Sequence, residues 1–403
     1  MSEMRTPSGR DGRFAPPADA LGRLERRAWI IGALGAVGCL IAYFVAPKEQ
    51  FLKSWLVAWL FWFSIALGSL ALAMVHHLSR GAWGLMARRI WEAAFRTLPL
   101  VAVLFLPILL DLPALYEWAR PEVVAGDEIL QHKAGYLNVP FFLLRTGLYF
   151  LIWVVLAWLL ARMSARQDEA PGEEARLFTR MQRVSSGGAL IYVLTLSFAA
   201  IDWVMSLDPH WFSSIWGAYL LAGQGVAALA FLILVGNYLA QREPLAGVLR
   251  PEHFHDYGKL LFAFTMLWGY FAVSQYLIIW SGNLPEEITW FLKRREGAWL
   301  AVSVLLALAH FFIPFLLLLS RGLKRHSGRL AAVVLILLVA RWLDFYWQVA
   351  PNVTHGRLGL TWIDAATLVG IGGLWLGLFF RLLSRRSLLP VRDPYLEEAL
   401  QHG

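Results

Sequence analysis

The chain has 403 residues, 58% of them hydrophobic and 14% aromatic, with a formal net charge of +8. An apolar content this high argues against an ordinary water-soluble enzyme. The positive charge is spread over tails and short loops, so no basic domain is available to hold a nucleic acid, which is set aside as a partner.

Residues 1–27 are basic and rich in Pro, Gly and Ala, the composition of a disordered tail. Ten apolar runs follow, each long enough at ~1.5 Å per residue to cross a ~30 Å hydrocarbon layer. They are expected near Ala28–Val45, Trp55–His76, Ala94–Leu110, Asn138–Ala161, Ser186–Leu207, Ile215–Leu239, Gly258–Trp280, Ala298–Ser320, Leu330–Val349 and Thr361–Leu383. The expected fold is therefore an all-α polytopic membrane protein, with a transmembrane domain at 28–383 and a C-terminal tail at 384–403. The first run reads as a retained span, because it is long and lacks an A-x-A cleavage site. It contains Cys39, the only cysteine. One thiol excludes a disulfide within the chain, a four-Cys iron–sulfur site and a C-x-x-C-H haem attachment. Lys and Arg gather in the N-terminal tail, the even-numbered loops and the C-terminal tail, which puts both termini in the cytoplasm.

Pro99 and Pro107 should kink the third span. The longest loop, Asp111–Leu137, then falls on the outer side, and the charged segment Arg162–Arg183 reads as a solvated helical connector. Asp202 stands inside the fifth run, where an unpaired carboxylate costs roughly 2.5–3.5 kcal/mol or more. It opens the segment DWVMSLDPHWFSSIWGAY, whose Asp208, Pro209 and His210 form an outer hairpin. In Ser281–Gly297, a start at Ser281 or Asn283, with Pro285 and Glu287 following, predicts a short surface helix. His310 lies near mid-membrane, and an imidazole that titrates near neutrality suits a relay there. Pro314 should bend the eighth span. Arg341 and Asp344, three residues apart, share a helix face and can pair. Gly370, Gly372, Gly373 and Gly377 allow close approach of the tenth span to a neighbour.

By this topology Asp111, Arg145, Asp202, Arg341, Asp344 and Asp364 lie in the outer half. His76, His77, Glu92, Arg96, His253, His255, Asp256 and Lys259 lie at the cytoplasmic side, and Gln224 and Gln275 are further polar candidates. Static pairing between helices is the bland reading of all of these. The sharper one is a proton path: Asp202, Arg341 and Asp344 as an outer half-channel, His310 as the central step, and His76, His77, His255 and Asp256 as the inner entrance. A different reading is a quinol pocket built from Asp111, Arg145, Asp202 and His210, with walls from Trp203, Trp211 and Tyr276. No second deep histidine matches His310 for a bis-imidazole haem. Lys259 beside His253, His255 and Asp256 disfavours a metal cation. Nucleophile elbow, P-loop and dinucleotide fingerprint are all missing, so no catalytic residue is assigned. Inverted repeats of the kind that mark many solute transporters are not evident.

Five blocks resemble a known family. They are HHLSRGAWGLMARRIWEAAFRTLPL (His76–Leu100), KAGYLNVPFFLLRTGLYF (Lys133–Phe150), the Asp202–Tyr219 segment, FHDYGKLLFAFTMLWGYFAVSQYLIIWSGNLPEEITWF (Phe254–Phe291) and RWLDFYWQVAP (Arg341–Pro351). Together they resemble the ActF-type membrane subunit of alternative complex III, a bacterial quinol:cytochrome c oxidoreductase. That resemblance implies an NrfD/polysulfide-reductase-like bundle in the bacterial inner membrane, serving respiratory electron transport and discussed as a route for proton translocation. It implies no cofactor in this chain, quinol as a candidate ligand, and haems and iron–sulfur clusters in partner subunits. Those partners would be an NrfD-like ActC-type membrane subunit, an iron–sulfur subunit, multihaem and monohaem cytochromes c, and a terminal oxidase. A purely structural scaffold for the cytochromes and the oxidase is the remaining alternative.

Overall fold

The structure is a computed structural model that describes residues 13–354 and 358–401, and among these residues it is helical with no strand. Ten helices are long and apolar enough to cross a membrane: α1 Ala18–Val45, α2 Lys48–Ser79, α3 Arg88–Leu110, α4 Val139–Glu169, α5 Glu174–Leu207, α6 Trp216–Ala240, α7 Pro251–Gly282, α8 Ala298–Leu319, α9 Ser327–Val353 and α10 Trp362–Leu383. The chain is a multi-pass membrane protein, as its hydropathy requires. Both tails lie at one end, where the Leu388 amide donates to the Phe14 carbonyl at 2.9 Å. This is called the tail end below, and the opposite one the far end.

α2 and α6 form the centre. Of the most apolar stretch of each, 89% and 83% is buried, against 28% for α1 and 22% for α8. α2 packs on α3, α5, α6, α9 and α10, while α6 adds α5, α7 and α9 as its own neighbours. Aromatic rings join α2 to α3, α4 and α5: Trp59, Phe63, Phe105, Phe150, Trp153 and Trp203 have ring centroids 4.6–6.1 Å apart. Between helices in a membrane such close packing, rather than escape from water, supplies the attraction.

The prolines act where expected. α3 divides into Arg88–Phe95, Leu98–Val103 and Leu106–Leu110, with Pro99 and Pro107 in the first turns of the later pieces. Around the second break Phe105 N and Ile108 N turn to carbonyls three residues back, on Ala102 and Phe105. The carbonyls of Val101 and Leu104 are thereby released, and Trp59 Nε1 and Trp55 Nε1 each donate to one of them at 2.8 Å. Buried backbone groups in a membrane must find such partners. In α8 a π turn, Ala307–Phe312, precedes Pro314. Proline lacks an N–H for the carbonyl four residues earlier and its ring crowds that carbonyl. Here that residue is His310.

α1 and α10 meet along glycines. A Cβ on Gly373 would strike the backbone of Gly32, and one on Gly35 the backbone of Gly370, so no larger residue fits this seam. Cys39 Sγ lies 3.6 Å from the Ala366 carbonyl on the same interface.

Some boundaries differ from the sequence expectation. α1 starts at Ala18, so 18–27 is helix and not tail; residues 1–12 of that expected tail lie outside the described residues. Leu24, Glu25, Arg26 and Arg27 are good helix formers that simply extend α1 beyond the apolar run. The segment after 384 folds back, burying Leu388, Leu389 and Leu396 and setting Tyr395 against Phe178 at 5.4 Å. The surface helix is Pro285–Leu292, and Asn283 instead closes α7 with a left-handed φ of 47°.

Candidate functional site

Several buried polar groups are built into the bundle, on different combinations of helices. The first lies near the far end between α4 and α5. Arg145 Nε and Nη2 donate to Asp202 at 2.9 and 2.8 Å, Tyr149 Oη donates to the same carboxylate at 2.8 Å, and Arg145 Nη1 donates to the Tyr136 carbonyl at 2.9 Å. The guanidinium is also stacked 3.8 Å from the Tyr136 ring and 4.2 Å from Phe141. Two forked bonds plus a phenol satisfy the buried acid, so Asp202 belongs to Arg145 and not to Arg341. Trp203 beside it donates to Thr146 Oγ1 at 3.2 Å and otherwise belongs to the aromatic core.

The second group sits deeper, where α6, α7, α8 and α9 converge. Asp344 accepts from Tyr219 Oη at 2.6 Å, Gln348 Nε2 at 3.0 Å and Trp268 Nε1 at 3.2 Å, and pairs with Arg341 one turn back on α9. Arg341 lies over the Phe345 ring at 4.0 Å and against Gly223, where a Cβ would overlap its guanidinium. His310, displaced by the π turn, stacks on Trp268 with ring centroids 3.9 Å apart. Both His310 nitrogens are buried, and among the described residues neither has a hydrogen-bond partner.

This second group backs onto a cavity of about 510 Å³ lined by Tyr219, Trp268, Tyr276, Phe291, Ser303 and Phe311 among others. Val273, Val304 and Phe312, 61%, 51% and 52% exposed, stand at its rim, so it opens sideways between the apolar α7 and α8, with exposed Arg295 at its far-end edge. Its far-end edge is closed by Arg294, which stacks 3.4 Å from Trp290 and donates to the carbonyls of Trp290, Trp347 and Gln348 at 2.7–3.0 Å. Burial holds this guanidinium well below the usual arginine pKa, opposed by the Asp208 carboxylate. Of the residues considered for a quinol site from sequence, Tyr276 alone lines this cavity.

The others are dispersed. Asp111 pairs with Lys48 at 3.4 Å. His210 Nε2 meets Asp127 at 2.6 Å, tying the hairpin to the long loop. Trp211 stacks on Trp290 at 4.7 Å. At the tail end His77 Nδ1 meets Ser185 Oγ at 3.0 Å, while His76 lies edge-on to Trp83. Asp256 accepts from Lys259 at 2.8 Å beside half-buried His255. Asp256 and Trp268 are separated by roughly 18 Å of α7 at ~1.5 Å per residue, a stretch that contains Leu261, Phe264 and the self-satisfied Thr265.

A third group, at the tail end, was only partly anticipated. Arg88 and Arg89 share Glu92, Arg88 also reaches Asp393 at 2.5 Å, and Arg89 reaches Asp168. Lys53 with Asp364 at 3.2 Å, supported by Ser54 Oγ at 2.7 Å, was likewise unforeseen on the lysine side. Tyr219 and Trp268 lay inside the sequence blocks singled out above, but nothing local marked them as partners of Asp344. No protein-family model matches this chain, and no curated protein matches it.

Proposed function

We propose that this chain is an integral membrane subunit of a quinol-oxidising electron-transport complex in a bacterial inner membrane, and that its lateral cavity takes the quinone-class ring. One observation carries this reading: a cavity open to the lipid layer ends on Tyr219 and Trp268, both bonded to the buried Asp344. A lipophilic ring with an isoprenoid tail reaches its site from within the bilayer, so a side opening suits it. The volume of about 510 Å³ lies inside the ~300–1,000 Å³ range of small-molecule pockets. Tyr219 Oη already donates to Asp344, which leaves its lone pairs for a quinol O–H. Oxidation of a quinol releases two protons and two electrons: Tyr219 would accept a hydrogen bond from one ring O–H, and a haem or iron–sulfur centre of a partner subunit would take the electrons. The ActF-type resemblance of the five sequence blocks supports the same class. Positive-inside charge would put the tail end in the cytoplasm and the cavity in the outer half.

The test is photolabelling of the lipid-embedded protein with an azido-quinone. Labels are expected on α7 between Trp268 and Tyr276 and on α8 between Leu300 and Phe312, displaced by excess quinone and lost in Ala272→Trp, which fills the cavity. Labelling elsewhere, or undiminished in that variant, would overturn the reading.

A second reading, proton transfer through the bundle, rests on His310 and its two nitrogens without partners beside the Arg341–Asp344 pair. It requires water to bridge the apolar stretch between Trp268 and Asp256. Unchanged turnover and proton stoichiometry in His310→Ala liposomes would remove it. Loss of neither labelling nor proton flux in any of these variants would leave the scaffold role.

A further inference from the structure

The far-end edge of the lateral cavity carries a buried cation that the fold leaves short of a counter-charge. Arg294 lines the cavity and is 1% exposed. Its Nε, Nη1 and Nη2 each donate to one backbone carbonyl, on Trp347, Trp290 and Gln348, which uses three of the five N–H groups of a guanidinium. Stacking on Trp290 at 3.4 Å and against Trp347 at 5.1 Å fixes its plane. Carbonyl dipoles lower the cost of burying this charge, yet among the described residues no carboxylate pairs with it. Asp208, which acts on it electrostatically, is held by Lys293 at 2.8 Å. The hydroxyl on the same wall is already engaged: Ser303 Oγ lies 2.9 Å from the carbonyls of Arg294 and Trp299 and accepts from Trp347 Nε1 at 2.8 Å. The cavity therefore has two polar poles, an accepting one at Tyr219 on α6 and a donating one at Arg294 ahead of α8. They are close enough for Tyr219 to act on the guanidinium electrostatically.

We propose, resting on the reading of this cavity as a quinone site, that Arg294 is its second oxygen-binding group. Its remaining N–H groups donate to the ring oxygen opposite the one that meets Tyr219, so the site selects rings with two opposed oxygens over monophenols of equal size. A charge-assisted N–H···O bond is stronger than a neutral one, and burial strengthens it further. The guanidinium is already locked by two indoles and three carbonyls, so little side-chain freedom is lost when the ring arrives. Arg295 at the same edge is exposed and solvated, and gains less from the same contact.

Two competitors of the azido-quinone label separate the poles. para-Methoxynaphthol offers one O–H for Tyr219 and a second, opposed oxygen; para-ethylnaphthol has the same size and the same O–H without that oxygen. On the full chain in lipid, the methoxy compound should displace the label at about tenfold lower concentration, the value of one charge-assisted bond. Arg294→Gln should make the two competitors equal, Arg294→Lys should keep part of the preference, and Arg295→Gln should keep all of it. An arginine that only shapes the cavity would weaken both competitors alike and leave their ratio as in the parent. Equal potency on the parent would overturn the proposal even if no Arg294 variant folds. An unchanged ratio in Arg294→Gln, or a lost one in Arg295→Gln, would do the same. In each of those cases, labels that still vanish in Ala272→Trp leave the cavity reading standing, whereas labels that persist there remove both.

Discussion

Replacing Asp202 by Asn keeps the shape of the site and removes its charge, which makes it the sharpest probe of what that residue does. The carboxylate accepts three bonds, from Arg145 Nε, Arg145 Nη2 and Tyr149 Oη, at 2.8–2.9 Å. An asparagine offers one oxygen and turns an NH2 toward a donor, so at least one forked bond is lost. Arg145, only 7% exposed, is left as an uncompensated cation. Breaking a buried ion pair from one side costs about 3–5 kcal/mol, whereas removing both partners costs far less. Asp202→Asn should therefore lose about 3 kcal/mol or more in reversible unfolding by SDS in mixed micelles. Arg145→Met should lose a similar amount, and the double variant should fall short of the sum by about 2 kcal/mol. Glu173→Gln, which removes an exposed ion pair with Arg176, should shift by no more than about 0.5 kcal/mol. Quinone labelling of the folded fraction should be unchanged, because Asp202 does not line the cavity. A nearly neutral Asp202→Asn, or strictly additive losses, would refute the view that this acid is held by its arginine; lost labelling with normal stability would return it to the binding site.

Gly373→Leu should separate α10 from α1, since even a Cβ there overlaps the Gly32 backbone; in a Cys39→Ala background, disulfide trapping between cysteines placed at Gly38 and Ala366, where a Cβ on Gly38 lies 3.6 Å from the Ala366 Cβ, should fall sharply relative to the same pair with Gly373. Gly223→Ala should push Arg341 off its position and cost about 1–3 kcal/mol in the same SDS unfolding, the usual range for overpacking. Pro314→Ala restores an N–H for the His310 carbonyl, so the π turn should revert to α-helix; quinone labelling of the Leu300–Phe312 segment should weaken while resistance to unfolding holds or rises. Asp127 is held below the usual carboxylate pKa by the Leu130 amide first and by His210 next. A depressed carboxylate stabilises above its unfolded value near pH ~3.9 and loses that contribution as pH falls through the folded one. Proteolytic nicking of the 121–133 loop should therefore rise only below about pH 4, and Asp127→Asn should remove that step.

Much of the architecture is visible in single-chain pattern, because a membrane span must be long, apolar and internally hydrogen-bonded. The breaks in α3 were legible from Pro99 and Pro107, and the Arg341–Asp344 pair from its spacing. The start of α1 was not, because hydropathy falls at Arg23–Arg27 although helix propensity does not. Partners set by tertiary packing escaped for a different reason. Lys53 finds Asp364, and Arg88 finds Asp393, across some three hundred residues, and no local periodicity records such a meeting. The cavity was hidden because its walls are the same Val, Leu and Phe that face lipid elsewhere. Pro314 could be read as a bend, but its displacement of His310 onto Trp268 depends on where α7 lies.

The glycine seam between α1 and α10 also governs how this protein is made. α1 packs almost wholly on α10, and its contact at Cys39 and Ala366 joins residues 327 apart in sequence. During synthesis α1 is thus released into the bilayer long before its counterpart exists, and must wait there unaccompanied while eight other helices assemble. Closure of the bundle is consequently a late event, gated by insertion of α10. A ribosome stalled before Gly370 would leave an orphan first helix, open to capture by membrane quality-control proteases.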